Sequence, residues 1–214
     1  MNLDKYKTGR FKPLQARGKE RVRVILAAAL NEFKSKGVEG VTTNDIAKAA
    51  NIPIGSLYRY YPNKDAIINA LVELYSNDIS QLFLEIGQHP YLGGLSWDEV
   101  LLLLVESWLD YSRLNGPFDF LYAVRATPRL YQQNMYAWQN LRNSFCKVIK
   151  NRCPSLTVRQ QEVCFSLTLA AAEMGIQEQG NRDRGPLPYQ EAVGIVARYM
   201  LNICGHNHAT PTNA

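Results

Sequence analysis

The side chains with the most chemistry to offer are hydrogen-bond donors: Thr43, Asn44, Ser56, Tyr58, Arg59, Tyr60 and Lys64, gathered between positions 43 and 64. Hydroxyls, a carboxamide, a guanidinium and an ammonium are the groups that bond phosphate oxygens and base edges. A catalyst would need an acid, a base or a nucleophile in a constellation. The chain has three histidines, His89 in a loop and His206 and His208 in the tail, and it lacks Gly-x-Ser-x-Gly, a Walker loop and His-Glu-x-x-His. Cys204, His206 and His208 could at most catch a stray metal ion, so neither a cofactor nor a metal site is expected, and an enzyme is the least favoured reading.

Two short helices joined by a tight turn position these donors. Thr42 caps the first, and Asp45, three residues on, completes a capping box. Ile46, Ala47 and Ala50 follow at helical spacing, and the small Ala47 lets a second helix come close. Asn51 sits where the chain turns, because asparagine tolerates the left-handed conformation. Pro53 suits the first turn of the next helix. Leu57 and Tyr61, four apart, point inward, which leaves Ser56, Arg59 and Tyr60 facing out. This is a helix-turn-helix, and its outer face suits the DNA major groove.

The run from Arg21 to Leu71 resembles the TetR family of bacterial transcriptional regulators. The similarity rests on Ile25-Leu26-x-Ala28-Ala29-x-x-x-Phe33-x-x-x-Gly37, on Thr43-x-x-Ile46-Ala47, and on Gly55-Ser56-Leu57-Tyr58-x-Tyr60-Tyr61-x-x-Lys64. It covers about a quarter of the chain by motif, and the helical pattern extends it to nearly all of the rest. The chain departs from the family pattern at Asn51, where glycine is frequent, at Ile54, where a polar or basic residue is frequent, and at Tyr61, where phenylalanine is frequent. An apolar Ile54 favours a thymine methyl over a hydrogen bond to a base.

In that frame Tyr58, Lys64 and the basic residues before position 17 hold phosphates, giving an affinity that falls with salt. Thr43 and Asn44 contact phosphate or a base edge. Arg59 reads guanine directly, because its fork matches O6 and N7, a pairing that discriminates by about 1 to 3 kcal/mol. Ile54, Gly55, Ser56 and Tyr60 lie against the groove floor and walls.

Charge agrees with this placement. Residues 1 to 64 hold 13 Lys and Arg against 5 acids, whereas 65 to 214 hold 11 against 14, so a basic head sits on a mildly acidic body. Concentrated charge argues against a non-specific DNA-packaging protein, in which it would be spread widely. The four cysteines, at 146, 153, 164 and 204, lack zinc spacing and fall in helical patterns, so reduced, mostly buried thiols are expected. The chain does not open on a signal-peptide pattern, and its longest apolar run, Val100 to Val105, is far short of the roughly 20 residues a span needs. A cytoplasmic protein without a membrane partner is the expectation.

Periodicity predicts an all-α chain of about nine helices. A basic arm over 1–16, free to track the minor groove or only to aid solubility, precedes a three-helix DNA-binding head over 17–64, with Gly37 closing its first helix. Asn63 caps a long fourth helix to about Gly87 that enters a helical body over 65–205, which the resemblance makes a ligand-sensing and dimerisation domain. In the body, Ser96 and Glu99 start a helix to about Leu114, a short helix follows from Phe118 to Ala126, and another runs from Pro128 to about Arg152. The last two helices start at Thr157 and after Gly185-Pro186, and residues 206–214 form a disordered tail.

The resemblance implies two further properties. The first is a two-fold homodimer, built from apolar faces on the last two helices that carry Leu167, Ala170, Ala171 and Met174, and Val193, Val196 and Met200. Both helices closing only the protomer's own core is the alternative. The second is a cavity for a small-molecule effector, partly aromatic or apolar, among Trp108, Tyr111, Phe118, Phe120, Tyr122, Trp138 and Phe145, with Arg125 and Glu173 as polar anchors. Such aromatics at helical spacing are also what a plain core contains. A dimer on an inverted-repeat operator, released when the effector favours wrongly spaced heads, is a repressor; activation by the same protein stays open.

Overall fold

A computed structural model describes residues 16–115, 118–177 and 188–204. The arm before residue 16 and the tail lie outside the described residues. Those described form ten α-helices and no strand: α1 (Ala16–Lys36), α2 (Thr43–Ala49), α3 (Ile54–Tyr60), α4 (Lys64–Gly87), α5 (Trp97–Asn115), α6 (Phe118–Ala126), α7 (Pro128–Gln133), α8 (Met135–Arg152), α9 (Val158–Gln177) and α10 (Pro188–Cys204).

The all-α expectation holds, with one more helix than foreseen. The segment Pro128 to Arg152, expected as one helix, is broken at Asn134, whose backbone leaves helical values (φ −109°, ψ 16°). The buried Asn134 carboxamide donates to the Leu130 carbonyl at 2.8 Å and so closes the turn before α8 begins. A 3-10 turn over Pro90–Gly94 occupies the expected loop between α4 and α5.

The chain divides into two compact units. One holds the described residues up to Asp78 together with Asn115–Trp138, and the other holds Ile79–Leu114 and the described residues from Gln139 onward. In the first, Ile25, Leu26, Ala29 and Phe33 of α1 are buried with Ile46, Leu57, Ile67 and Leu71. Phe33 stacks on Phe120 of α6, with ring centroids 5.5 Å apart. Arg129 of α7 reaches Asp65 at the start of α4, 2.6 Å away. Gly37, at φ 73°, ends α1 in the left-handed conformation that glycine adopts without steric cost.

The second unit is built on an aromatic chain: Phe83 meets Trp108 and Phe145 edge-on at 6.0 Å, and Phe145 meets Phe165 at 5.5 Å. Helix α4 comes so close to α8 that a Cβ at Gly87 would lie 2.8 Å from a Val148 methyl. Helices α9 and α10 run antiparallel, with Cys164 against Met200 at one end and Gly175 against Tyr189 at the other. The Arg152 guanidinium donates to the Leu92 and Leu95 carbonyls and lies 5.1 Å above the Trp97 ring, anchoring the end of α8.

The cysteines depart from expectation. Cys153 and Cys204 form a disulfide across 51 residues of sequence, while Cys146 and Cys164 stay free. Nothing in the spacing of four cysteines fixes which of them pair.

Candidate nucleic-acid interface

The chemistry of the helix-turn-helix begins with its caps. The Thr42 amide donates to the Asp45 carboxylate at 2.9 Å, and the Asp45 amide donates back to the Thr42 hydroxyl at 3.2 Å. Bonds from the Thr42 hydroxyl and amide hold the Asp45 carboxyl below the usual carboxylate range. The turn passes through Asn51 at φ 50°, as its residue type suggests, with the Ile52 amide bonded to the Ala47 carbonyl at 3.0 Å. Pro53 precedes α3 rather than opening it, and its carbonyl accepts from the Ser56 amide at 2.9 Å. Ile46, Ala47, Leu57 and Tyr61 are buried, so the small residue at 47 does let the helices meet. Burial raises the Tyr61 hydroxyl well above its ordinary pKa.

The face left outside is polar and partly organised. Asn44, Gly55, Tyr58 and Arg59 are exposed, while Thr43, Ile54, Ser56, Tyr60 and Lys64 are half-buried. The hydroxyls of Thr43 and Tyr58 lie 3.0 Å apart, joining the start of α2 to the outer face of α3. Arg59 donates from Nη2 to the Tyr60 hydroxyl at 3.1 Å, and its guanidinium carbon lies 5.2 Å from the centre of the same ring. A Cβ at Gly55 would meet nothing within 4 Å, so the chain itself does not require glycine there.

Lys64 is placed differently from its neighbours. Its ammonium donates to the Val38 carbonyl at 2.9 Å and stands 3.4 Å from the Glu39 carbonyl, in the loop between α1 and α2. The Glu39 carboxylate is 3.9 Å away. Beside it, the Asn63 side chain caps α4 by accepting from the Ala66 amide at 2.8 Å.

Residues 25–71 match the family model described as bacterial regulatory proteins, tetR family. Over this segment the chain is similar to the TetR family. An uncharacterized HTH-type transcriptional regulator of Bacillus subtilis, YuxN, is 27% identical over 93 residues, which is 44% of this chain and 32% of YuxN. The negative transcriptional regulator IcaR of the biofilm operon icaADBC in Staphylococcus epidermidis is 43% identical over 49 residues, 23% of this chain and 26% of IcaR. The chain thus spans about a third or less of the length of these relatives. A putative TetR-family regulator from Mesorhizobium loti shares the fold at a TM-score of 0.65 and 16% identity, covering 88% of this chain and 98% of that one.

The other expected site residues are scattered. Trp108 and Phe145 are buried in the second unit's aromatic chain, and Phe120 is buried against Phe33 in the first. Trp138 is buried and stacks on Tyr131 at 6.3 Å. Tyr122 is exposed, Tyr111, Arg125 and Glu173 are half-buried, and the side chain of Phe118 lies outside the described residues. Phe83 and Phe165, which complete these ring contacts, are not singled out in the sequence, and Phe33 stands there only as a motif residue of α1, because periodicity marks a core face without naming partners.

On α9, Leu167, Ala170 and Met174 are exposed and share one side at spacings of three and four. Ala171, Val193, Val196 and Met200 are buried within the protomer, which corrects their expected place on an outward face. The outward side of α10 carries Ile195 and Leu201 instead.

Proposed function

We propose that the protein is a sequence-specific DNA-binding transcriptional regulator that sits as a symmetric pair on an inverted repeat and acts as an effector-released repressor. The observation that carries this reading is the outer face of α2 and α3, where exposed donors surround an unobstructed Gly55. Glycine there keeps a partner's surface within reach of the backbone, as a groove floor requires. Arg59, oriented by Tyr60, reads a guanine edge, and the Thr43 and Tyr58 hydroxyls together meet a phosphate. The basic balance of residues 1 to 64 supports the same polarity. Repression is favoured by IcaR, which is named a negative regulator.

Pairing follows from the apolar residues left outside on α9 and α10: Leu167, Met174, Ile195 and Leu201. Release by an effector has a route inside the first unit. Helix α6 carries Tyr122 and Arg125, rests Phe120 on Phe33 of α1, and leads into α7, whose Arg129 holds Asp65 at the start of α4. A small apolar or aromatic molecule that displaced α6 would pull on both helices that frame the reading head. Its preference for one form sets the loss of DNA affinity by linkage, and about 3 kcal/mol corresponds to more than a hundredfold.

Selection of bound duplex from a randomised pool tests the reading. Two half-sites in inverted repeat, about one helical turn apart, are expected. Binding that follows salt but not sequence would favour a packaging role instead.

A further inference from the structure

We propose that Cys153 and Cys204 form a reversible thiol–disulfide site, closed by small-molecule disulfides and opened by small-molecule thiols, that clasps the α9–α10 hairpin to the end of α8. The two Cα atoms lie 5.9 Å apart, within the usual span of a disulfide, and the bond closes around both helices of the hairpin. Its two ends differ. Cys153 is buried beside Arg152, which is fixed by the Leu92 and Leu95 carbonyls, so this side is rigid. Cys204 is half-buried at the last turn of α10, so this side is open to a reagent. The Ser155 hydroxyl stands 3.3 Å from Cys153 Sγ, where it can donate to a departing thiolate.

The remaining cysteines are poor competitors. Cys164 is fully buried, and burial pushes the thiols of Cys146 and Cys164 up to about 11. A protein that works on chromosomal DNA does so among reducing thiols, where a cysteine pair in bonding position serves as a transient, responsive link. This setting rests on the proposed regulatory function; the chemistry of the pair does not.

Closure with glutathione disulfide balances as follows. The Cys204 thiolate attacks one glutathione sulfur, the glutathione S–S bond breaks, and the first glutathione leaves as a thiolate that takes up a proton. The Cys153 thiolate then attacks Cys204 Sγ, breaking the mixed disulfide and releasing the second glutathione. The protein loses two electrons and two protons, and glutathione disulfide becomes two thiols. The consequence falls on the outward face of α9 and α10, whose Leu167, Met174 and Leu201 are carried by the clasped hairpin.

The full chain is equilibrated across a series of reduced-to-oxidised glutathione ratios, quenched with iodoacetamide in denaturant so that every free thiol is reached, and digested for mass spectrometry. A cross-linked Cys153–Cys204 peptide that rises across the series, with Cys146 and Cys164 alkylated throughout, is expected. A link closed at every ratio, or at none, overturns the proposal. The closed form should melt about 10 °C above the open one, as expected for a loop of this length, and C153S/C204S should not respond to glutathione; a double variant that still responds also overturns it. Sedimentation in each state should show at least a threefold change in the self-association constant. A protein monomeric in both states would remove the proposed pairing, while the glutathione titration would still decide the clasp.

Discussion

The Lys64 ammonium donates to the Val38 carbonyl at 2.9 Å, so the lysine that the motif assigns to phosphate ties α4 to the loop between α1 and α2. Lys64→Met should lower stability by about 1 kcal/mol, the worth of such a bond at a half-buried site. The slope of log affinity against log salt should be retained. Denaturant melts and binding at several salt concentrations check this, and a slope shallower by about one would return Lys64 to the phosphate backbone.

Arg59→Ala should relax sequence preference at one base pair per half-site, at a cost of about 1 to 3 kcal/mol. Tyr60→Phe, which removes only the hydroxyl that Arg59 reaches, should do the same more weakly. Selected-site profiles of the two variants, compared with the parent, settle the comparison; unchanged profiles would end the case for direct readout.

Gly55→Ala separates folding from binding. The added methyl meets open space, and alanine favours a helix over glycine by up to about 1 kcal/mol, so stability should hold or rise. Operator affinity should nevertheless drop, because that methyl would stand in the groove. Equal affinity for the two proteins in a titration would place the DNA elsewhere.

The capping box predicts an acid limit for the head. The Asp45 carboxyl is held below its unfolded value by the Thr42 hydroxyl and amide. Its stabilising effect is therefore present above pH ~4, the ordinary aspartate range, and is lost as pH falls through the lower folded value. Denaturant midpoints from pH 6 to pH 2 should fall more steeply for the parent than for Asp45→Asn. Parallel curves would remove the cap as the cause.

Burial sorts the proposed pairing face. Leu167→Glu with Met174→Glu should give folded monomers by sedimentation at an unchanged melting temperature, since both side chains are exposed. Ala171→Glu should instead unfold the protein, because that position is fully buried and a carboxylate would have no water there. An intact dimer in the first variant would move the interface off α9.

What the sequence made legible was whatever local chemistry dictates. The capping boxes at Thr42 and Ser96, the left-handed Asn51, the Gly37 stop and the end of α4 at Gly87 all depend on a few neighbouring residues, and all stand as read. The break at Asn134 was not visible, because an asparagine fits a helix until its side chain takes up the Leu130 carbonyl. The partners of Lys64 and Cys153 lie 26 and 51 residues away, beyond any periodic signal. The same limit explains the hairpin: α9 and α10 each show a broad apolar face, but only their mutual packing decides that Ala171 and Val193 turn inward while Leu167 and Ile195 stay out.

The contacts Phe33–Phe120 and Asp65–Arg129 bear on protein engineering. A chimera that transplants only residues 17–64 onto the body of a regulator would strip α1 of the ring it rests on and leave Asp65's counterpart to chance. A graft that runs on through Asp65 and also carries α6 and α7 keeps both, which makes the portable unit around the helix-turn-helix a discontinuous one.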